Sequence, residues 1–137
     1  MNVIRIHPEE VDYDMLRIKT WLTGAVARGH GEMEVSDYID WLKSGKFQGW
    51  AITDGHYWIG FCITEIVEYP RITVCRIVSL AGLDMFSWKD LLHERMQQFA
   101  KEQGCKRIET VARPGFFRAL RHLGVKVMYW VISQEVK

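Results

Sequence analysis

Arg113, Arg118, Arg121 and His122 make the densest cluster of chemistry in this 137-residue sequence. On a helix, Arg118, Arg121 and His122 lie three and four residues apart and so share one side. Guanidinium groups so placed suit an anion, because their forked N–H donors match phosphate and carboxylate oxygens. The same residues also read as a solvated basic helix face, since arginine is commonly exposed. Cys62, Cys75 and Cys105 are odd in number, widely spaced and lack a C-x-x-C pair, so neither a disulfide framework nor a zinc site is indicated. Cys62 and Cys75 stand in apolar strand-like runs and read as buried thiols. His56 follows the Asp54-Gly55 turn, and His93 falls on the polar flank of a helix. His30 sits between two glycines in a loop shared with Glu32 and Glu34. None of these gives metal-ligand spacing.

Composition bounds what these residues serve. The chain has 18 Lys+Arg, 17 Asp+Glu and 48% hydrophobic residues. It reads as one domain over residues 1–137, ordered and able to bury a core without staples. A net charge of +1 gives no whole-molecule attraction to nucleic acid or anionic membrane. The sequence shows no zinc spacing, aromatic RNA-binding pattern or dense basic tract, so no nucleic-acid partner is expected. Residues 1–70 hold six basic and eleven acidic side chains, a balance of −5; residues 71–137 hold twelve and six, a balance of +6. Either anionic ligands favour the second half, or the halves fold together and their charges intermix. No signal-peptide core and no run of about 18 apolar residues is seen, so a cytoplasmic protein with reduced thiols is expected.

The elements that position these groups follow from periodicity. Val3–Ile6 alternates as a strand, stopped by Pro8. Asp12 or Asp14 caps a helix whose face is Met15, Ile18, Leu22 and Val26. Ser36 caps a shorter helix ended by Gly45. Gly49–Thr53 and Tyr57–Tyr69 form a hairpin about Asp54-Gly55. Arg71–Leu80 returns antiparallel, with Ile72, Val74, Arg76 and Val78 on one side and Thr73, Cys75, Ile77 and Ser79 on the other. Ser87 with Asp90 is a variant capping box for a helix ended by Gly104. Arg107–Ala112 is a strand parallel to Arg71–Leu80. Pro114 opens a short helix closed by Gly124, and Val125–Val136 is a last long strand. The order is β-α-α-β-β-β-α-β-α-β: an α/β (α+β) fold with a single mixed, mostly antiparallel sheet and helices on both faces. Six tryptophans serve mostly as core, and the long apolar strands point to a homodimer through a shared sheet edge or to another protein partner.

This order, with Cys75–Leu80 leading into the Ser87–Gly104 helix and with Glu109–Val125 as strand, short helix and Gly step, resembles the GNAT superfamily of acyl-CoA-dependent N-acyltransferases. The resemblance covers nearly the whole chain. It implies a cleft between splayed parallel strands, in which Ile77, Val78, Ser79 and Leu80 line the pantetheine arm of acetyl-CoA. Asp84, Met85, Phe86, Ser87 and Trp88 would form the phosphate turn at a helix N-terminus, with Arg113 and Arg118 beside the nucleotide phosphate. Glu65 and Glu68 would lie nearest the acceptor, one serving as general base through water, with Ser79 assisting at the thioester; a polar strand face is the other reading of the two carboxylates. His30, Glu32 and Glu34 would either shape the amine site or form an acidic surface loop.

The sequence departs from the family pattern at two places. Its turn, Ala81-Gly82-Leu83-Asp84-Met85-Phe86-Ser87-Trp88, lacks the basic, Gly-rich character usual there, and Asp84 would repel a pyrophosphate. Leu120 stands where a Tyr general acid is common, and Arg113 replaces an Asn. The resemblance therefore implies either an N-acyltransferase acting from acetyl-CoA on an amine, or a catalytically inactive binding or assembly protein on the same scaffold. Compact proteins of the second kind resemble ones encoded by bacteriophages beside virion genes.

Overall fold

The computed structural model describes residues 1–137. Alternating apolar residues build five strands in one sheet, ordered β1-β2-β3-β4-β5. They are β1 (Asn2–Ile6), β2 (Phe47–Thr53), β3 (Trp58–Glu68), β4 (Thr73–Gly82) and β5 (Arg107–Thr110). The first three pairings are antiparallel and β4·β5 is parallel. The parallel pair is joined by α3 (Lys89–Glu102), a right-length crossover for two parallel strands. The β2–β3 turn forms because Asp54 Oδ1 accepts from the N–H groups of His56 and Tyr57, while Gly55 takes φ +102°.

Helices cover both faces. On one side lie α1 (Met15–Arg28) and α2 (Val35–Ser44). Ile18 and Leu22 from α1 and Ile39 and Leu42 from α2 pack on Phe47, Ala51, Phe61 and Ile63. On the other, α3 sets Leu92, Met96 and Phe99 against Trp50, Cys62 and Cys75. Trp50 and Phe99 meet edge to face at 4.9 Å between centroids. A buried polar chain runs through the sheet: Trp50 Nε1 donates to Thr64 Oγ1, that hydroxyl donates to Gln48 Oε1, and Gln48 Nε2 donates to the Gly45 carbonyl. Cys62 and Cys75 are free, buried thiols, and burial pushes both thiols well above their ordinary range. No helix is long and apolar enough to cross a membrane.

Four expectations fail for physical reasons. Glu34 stands at the cap of α2, where Asp37 Oδ2 accepts from the Glu34 N–H at 2.8 Å and the Asp37 N–H donates to the Glu34 carbonyl, so Ser36 lies inside the helix. The alternation along β4 breaks at a bulge, where Ile77 faces Thr64 and Ser79 faces Ile63, leaving Val78 extra. Ser87 does not cap α3; its hydroxyl bonds back to the Asp84 carbonyl within a 3-10 turn, and Trp88 stands at the helix cap. Residues 125–137 form no strand. They follow α4 (Pro114–Leu120) and a 3-10 turn ending at Gly124, and they join no ladder.

Candidate active site

The parallel strands stay in register from Val74↔Arg107 to Ile77↔Thr110 and then part. Thr110 closes the last rung by donating from Oγ1 to the Ile77 carbonyl at 2.9 Å. Beyond it β4 runs on to Gly82 beside β3, while residues 111–113 leave the sheet. The β5-facing backbone groups of Val78, Ser79 and Leu80 are thereby released from the β4·β5 ladder. The bulge at Val78 falls in this released stretch. Ser79 stands opposite Ile63, which belongs to the α1/α2 core, so Val78 and Ser79 both turn to that face while Leu80 packs toward α3.

A cleft of about 510 Å³ opens here. Leu80, Ala81 and Gly82 form its strand wall, Met85 and Trp88 its floor, and Gly115 and Phe116 of α4 its far side. Arg28, from the last turn of α1, and Arg113, just before α4, both reach it. Arg118 lies at the rim: a side-chain carbon added to Gly115 would sit 3.7 Å from its Nη2. The cleft is thus an extended backbone edge flanked by guanidinium groups, suited to an elongated ligand with an anionic end.

The turn entering α3 has its own logic. Trp88 is buried, and its indole N–H donates to the Leu83 carbonyl at 2.8 Å. Its ring occupies the space a side chain on Gly82 would need. Asp84 adopts the left-handed conformation at φ +52°, the one non-glycine residue to do so. The N–H groups of Ser87 and Trp88 are already spent on the carbonyls of Asp84 and Met85. Phe86 does not plug the cleft. It is 74% exposed, with the Lys89 ammonium 5.4 Å from its ring. Lys89 also fixes α4, reaching the Ala119 carbonyl at 3.5 Å and His122 Nε2 at 3.1 Å, and Asp90 Oδ1 lies 3.4 Å from the same imidazole. His122 is therefore engaged with α3, apart from the cleft lining.

One rung below the parting point, Glu65, Arg76 and Glu109 stand in line across β3, β4 and β5. Arg76 Nη2 donates to Glu109 Oε1 at 2.9 Å and to the Tyr69 hydroxyl at 2.8 Å, and its Nη1 is 3.9 Å from Glu65. Arg107 and Tyr69 also donate to Glu109. Partial burial would push the Glu109 carboxyl up, but these hydrogen bonds win and hold it below the usual glutamate range. Glu65 is half-buried with one distant cation, whereas Glu68 ends β3 exposed. Glu32 is exposed, with its carboxylate accepting from the His30 N–H, and the Glu34 backbone stands at the cap of α2.

Arg28, Gly115 and Phe116 are cleft residues that sequence reasoning passed over. Arg28 lies in the net-acidic half, and only the packing of α1 across the sheet brings it to β4. Glu109 was also missed; its place opposite Arg76 in the parallel register is the signal that finds it.

The sequence matches no protein-family model and no curated protein. Its structure matches solved ones over 95–99% of their length. It is similar to a probable acetyltransferase (11% identity, TM-score 0.75, covering 100% of this chain and 99% of that one). It is similar also to ribosomal-protein-alanine N-acetyltransferase from Brucella melitensis biovar Abortus 2308 (14% identity, TM-score 0.68, covering 100% and 99%). A predicted acetyltransferase from Clostridium acetobutylicum, solved with acetyl-CoA, shares 11% identity at TM-score 0.68, covering 98% and 95%. The fold is that of GNAT acetyltransferases.

Proposed function

We propose that this chain is an N-acyltransferase that moves an acetyl group from acetyl-CoA to an amine. One observation carries the reading. The parallel strands part immediately past Ile77 and Thr110, beside a cleft of about 510 Å³ that Arg28 and Arg113 flank. The released backbone of Val78–Leu80 offers the pantetheine amides a strand edge. Arg28, Arg113 and Arg118 neutralise the phosphates in place of the Gly-rich turn that Asp84 and Trp88 replace. Met85 and Trp88 supply the apolar floor, and Phe86 and Ser87 lie outside it. A backbone N–H at Val78 or Ser79, with the Ser79 hydroxyl, polarises the thioester carbonyl.

Glu65 takes the proton of the attacking amine through water. The new C–N bond forms as the C–S bond breaks, and the thiolate takes a proton from solvent, since Leu120 offers none. The parting of β4 and β5 and the similar solved structure that holds acetyl-CoA support acetyl-CoA as the acyl donor. The acidic residues nearer the acceptor end favour a cationic amine.

A second reading is a non-catalytic binding or assembly protein on the same scaffold, with cofactor binding lost, of the kind phages encode. The turn before α3 favours it, because the N–H groups of Ser87 and Trp88 point to carbonyls rather than to a ligand. Calorimetric titration with acetyl-CoA, followed by thiol release with a panel of amines, separates the two. Binding with thiol release supports the enzyme, and absence of binding supports the second reading. No heat and no thermal shift with excess acetyl-CoA would overturn the cofactor assignment.

A further inference from the structure

Arg5 and Arg95 are two half-buried guanidinium groups that take part in none of the chain's ion pairs. Arg5 stands on β1 opposite Trp50 of β2, and Arg95 stands on α3 one turn before Phe99. Both cover the buried Trp50 indole. The Arg5 Cζ lies 5.1 Å from its ring centroid and the Arg95 Cζ 4.8 Å, and Arg5 also lies 5.6 Å from the Phe99 ring. Stacking on an aromatic ring explains where each group sits. It leaves the N–H donors unspent, because they lie in the guanidinium plane and point sideways from it. The Arg5 Nε is buried without a hydrogen-bond partner, and Arg95 Nη1 makes only a long contact, 3.5 Å, to Gln98 Oε1. Glu94 and Glu102 of α3 are exposed and pair with neither group. Burial, and then the neighbouring Arg95 charge, lower the Arg5 pKa from its ordinary value. Like charges crowded over one ring and short of acceptors are costly until an opposite charge joins them.

We propose that Arg5 and Arg95, with Gln98 beside them, bind one tetrahedral dianion of the phosphate class on the α3 face of the sheet. Sharing one ring, the two guanidinium carbons lie within about 10 Å of each other, so one oxyanion can lie between them. Its oxygens serve a forked pair of donors on each side, and its two charges balance the two cations. A carboxylate carries one charge and two oxygens, enough for a single fork. Gln98 adds a donor, since its Oε1 faces Arg95 and leaves the amide N–H groups to the ligand. Trp50 and Phe99 hold the Arg5 group from the side of the core, so little side-chain freedom remains to be lost on binding. β1 is the edge of the sheet remote from β5, which separates this site from the cleft beside β4 that Arg28 and Arg113 flank. The inference does not rest on the proposed activity.

Titration of the full chain with inorganic phosphate at constant ionic strength tests it, read by nuclear magnetic resonance. The Arg5 Nε–H resonance, identified by its loss in Arg5→Met, should shift with phosphate and respond little to acetate. It should shift equally in the Arg28→Ala/Arg113→Ala variant, where the cleft has lost its cations. In that variant phosphate should also raise the unfolding midpoint. Adding Arg5→Met or Arg95→Met, which keep Trp50 covered, should weaken that response roughly tenfold or more. An Arg5 resonance that ignores phosphate, or that answers acetate equally, would overturn the proposal. So would a shift lost with Arg28 and Arg113, or a midpoint response that survives the loss of Arg5 and Arg95.

Discussion

Gly82 and Trp88 are a matched pair: a side-chain carbon on Gly82 would lie 2.4 Å from Cζ2 of the buried indole. Gly60, paired with Gly82 across β3 and β4, leaves room for the same ring. The glycine in the turn thus serves packing rather than close approach of a phosphate. Gly82→Ala should destabilise the fold by about 1–3 kcal/mol, the usual cost of overpacking. In a Trp88→Phe background, which removes the clashing ring, the same change should cost less. Urea denaturation of the four proteins of this cycle measures the coupling; equal costs in both backgrounds would refute the pairing.

The two guanidinium groups at the cleft give a second prediction. Arg28→Ala and Arg113→Ala should each weaken acetyl-CoA binding roughly tenfold, since a hydrogen bond to a charged group contributes about 1.5–3 kcal/mol. Both side chains are exposed, so unfolding midpoints should barely move. Calorimetry at low and high salt checks this, with affinity expected to fall as salt screens the exposed charges.

The carboxylates of β3 should separate by role. Glu65 lies one rung from the parting point and half-buried; Glu68 is exposed at the strand end. Glu65→Gln should lower kcat by roughly 100-fold or more, in the range of general base loss, while Glu68→Gln leaves it within about twofold. Steady-state kinetics with an amine that supports turnover decides the matter, and the reverse order would reassign the base.

Glu109 makes the ladder pH-sensitive. Its folded pKa lies below its unfolded value, so its stabilising effect is fully present above the ordinary glutamate pKa of about 4.3. The effect is lost as pH falls through the lower, folded pKa. Glu109→Gln should therefore be less stable than the unaltered chain at neutral pH, by about 1 kcal/mol given the partial exposure of Arg76. The difference should shrink in acid. Denaturation midpoints taken from neutral pH down into the carboxylate range would show a constant gap if the ladder carries no such linkage.

Much of the fold is legible in the sequence because it is set by local pattern. The Ile18–Leu22 stripe, the Asp54-Gly55 turn and the Pro114 start each follow from a few neighbouring residues. What escapes depends on distant partners. The bulge at Val78 is fixed by its register against β3, and the Ser87 hydroxyl bonds back to the Asp84 carbonyl in the 3-10 turn that precedes Trp88. Leu80, Met85, Trp88 and Arg113 line the cleft while Ile77, Val78 and Ser79 do not, and Arg28 arrives from α1 by packing alone. The segment 125–136 has the pattern of a strand but no partner within the chain, and pattern alone cannot supply one.

Arg28 and Arg113 lie far apart in the chain and face one cleft. A polyanion gripping both would act as a noncovalent staple, closing a long loop of chain. Because it would bind only the folded form, mass action would tie the stability of that loop to ligand concentration. The short helix α4, otherwise anchored through Lys89, would gain a second mooring whenever the cleft is filled. Its opening would then report occupancy: amide exchange at Phe116 and Phe117 should slow as ligand is added.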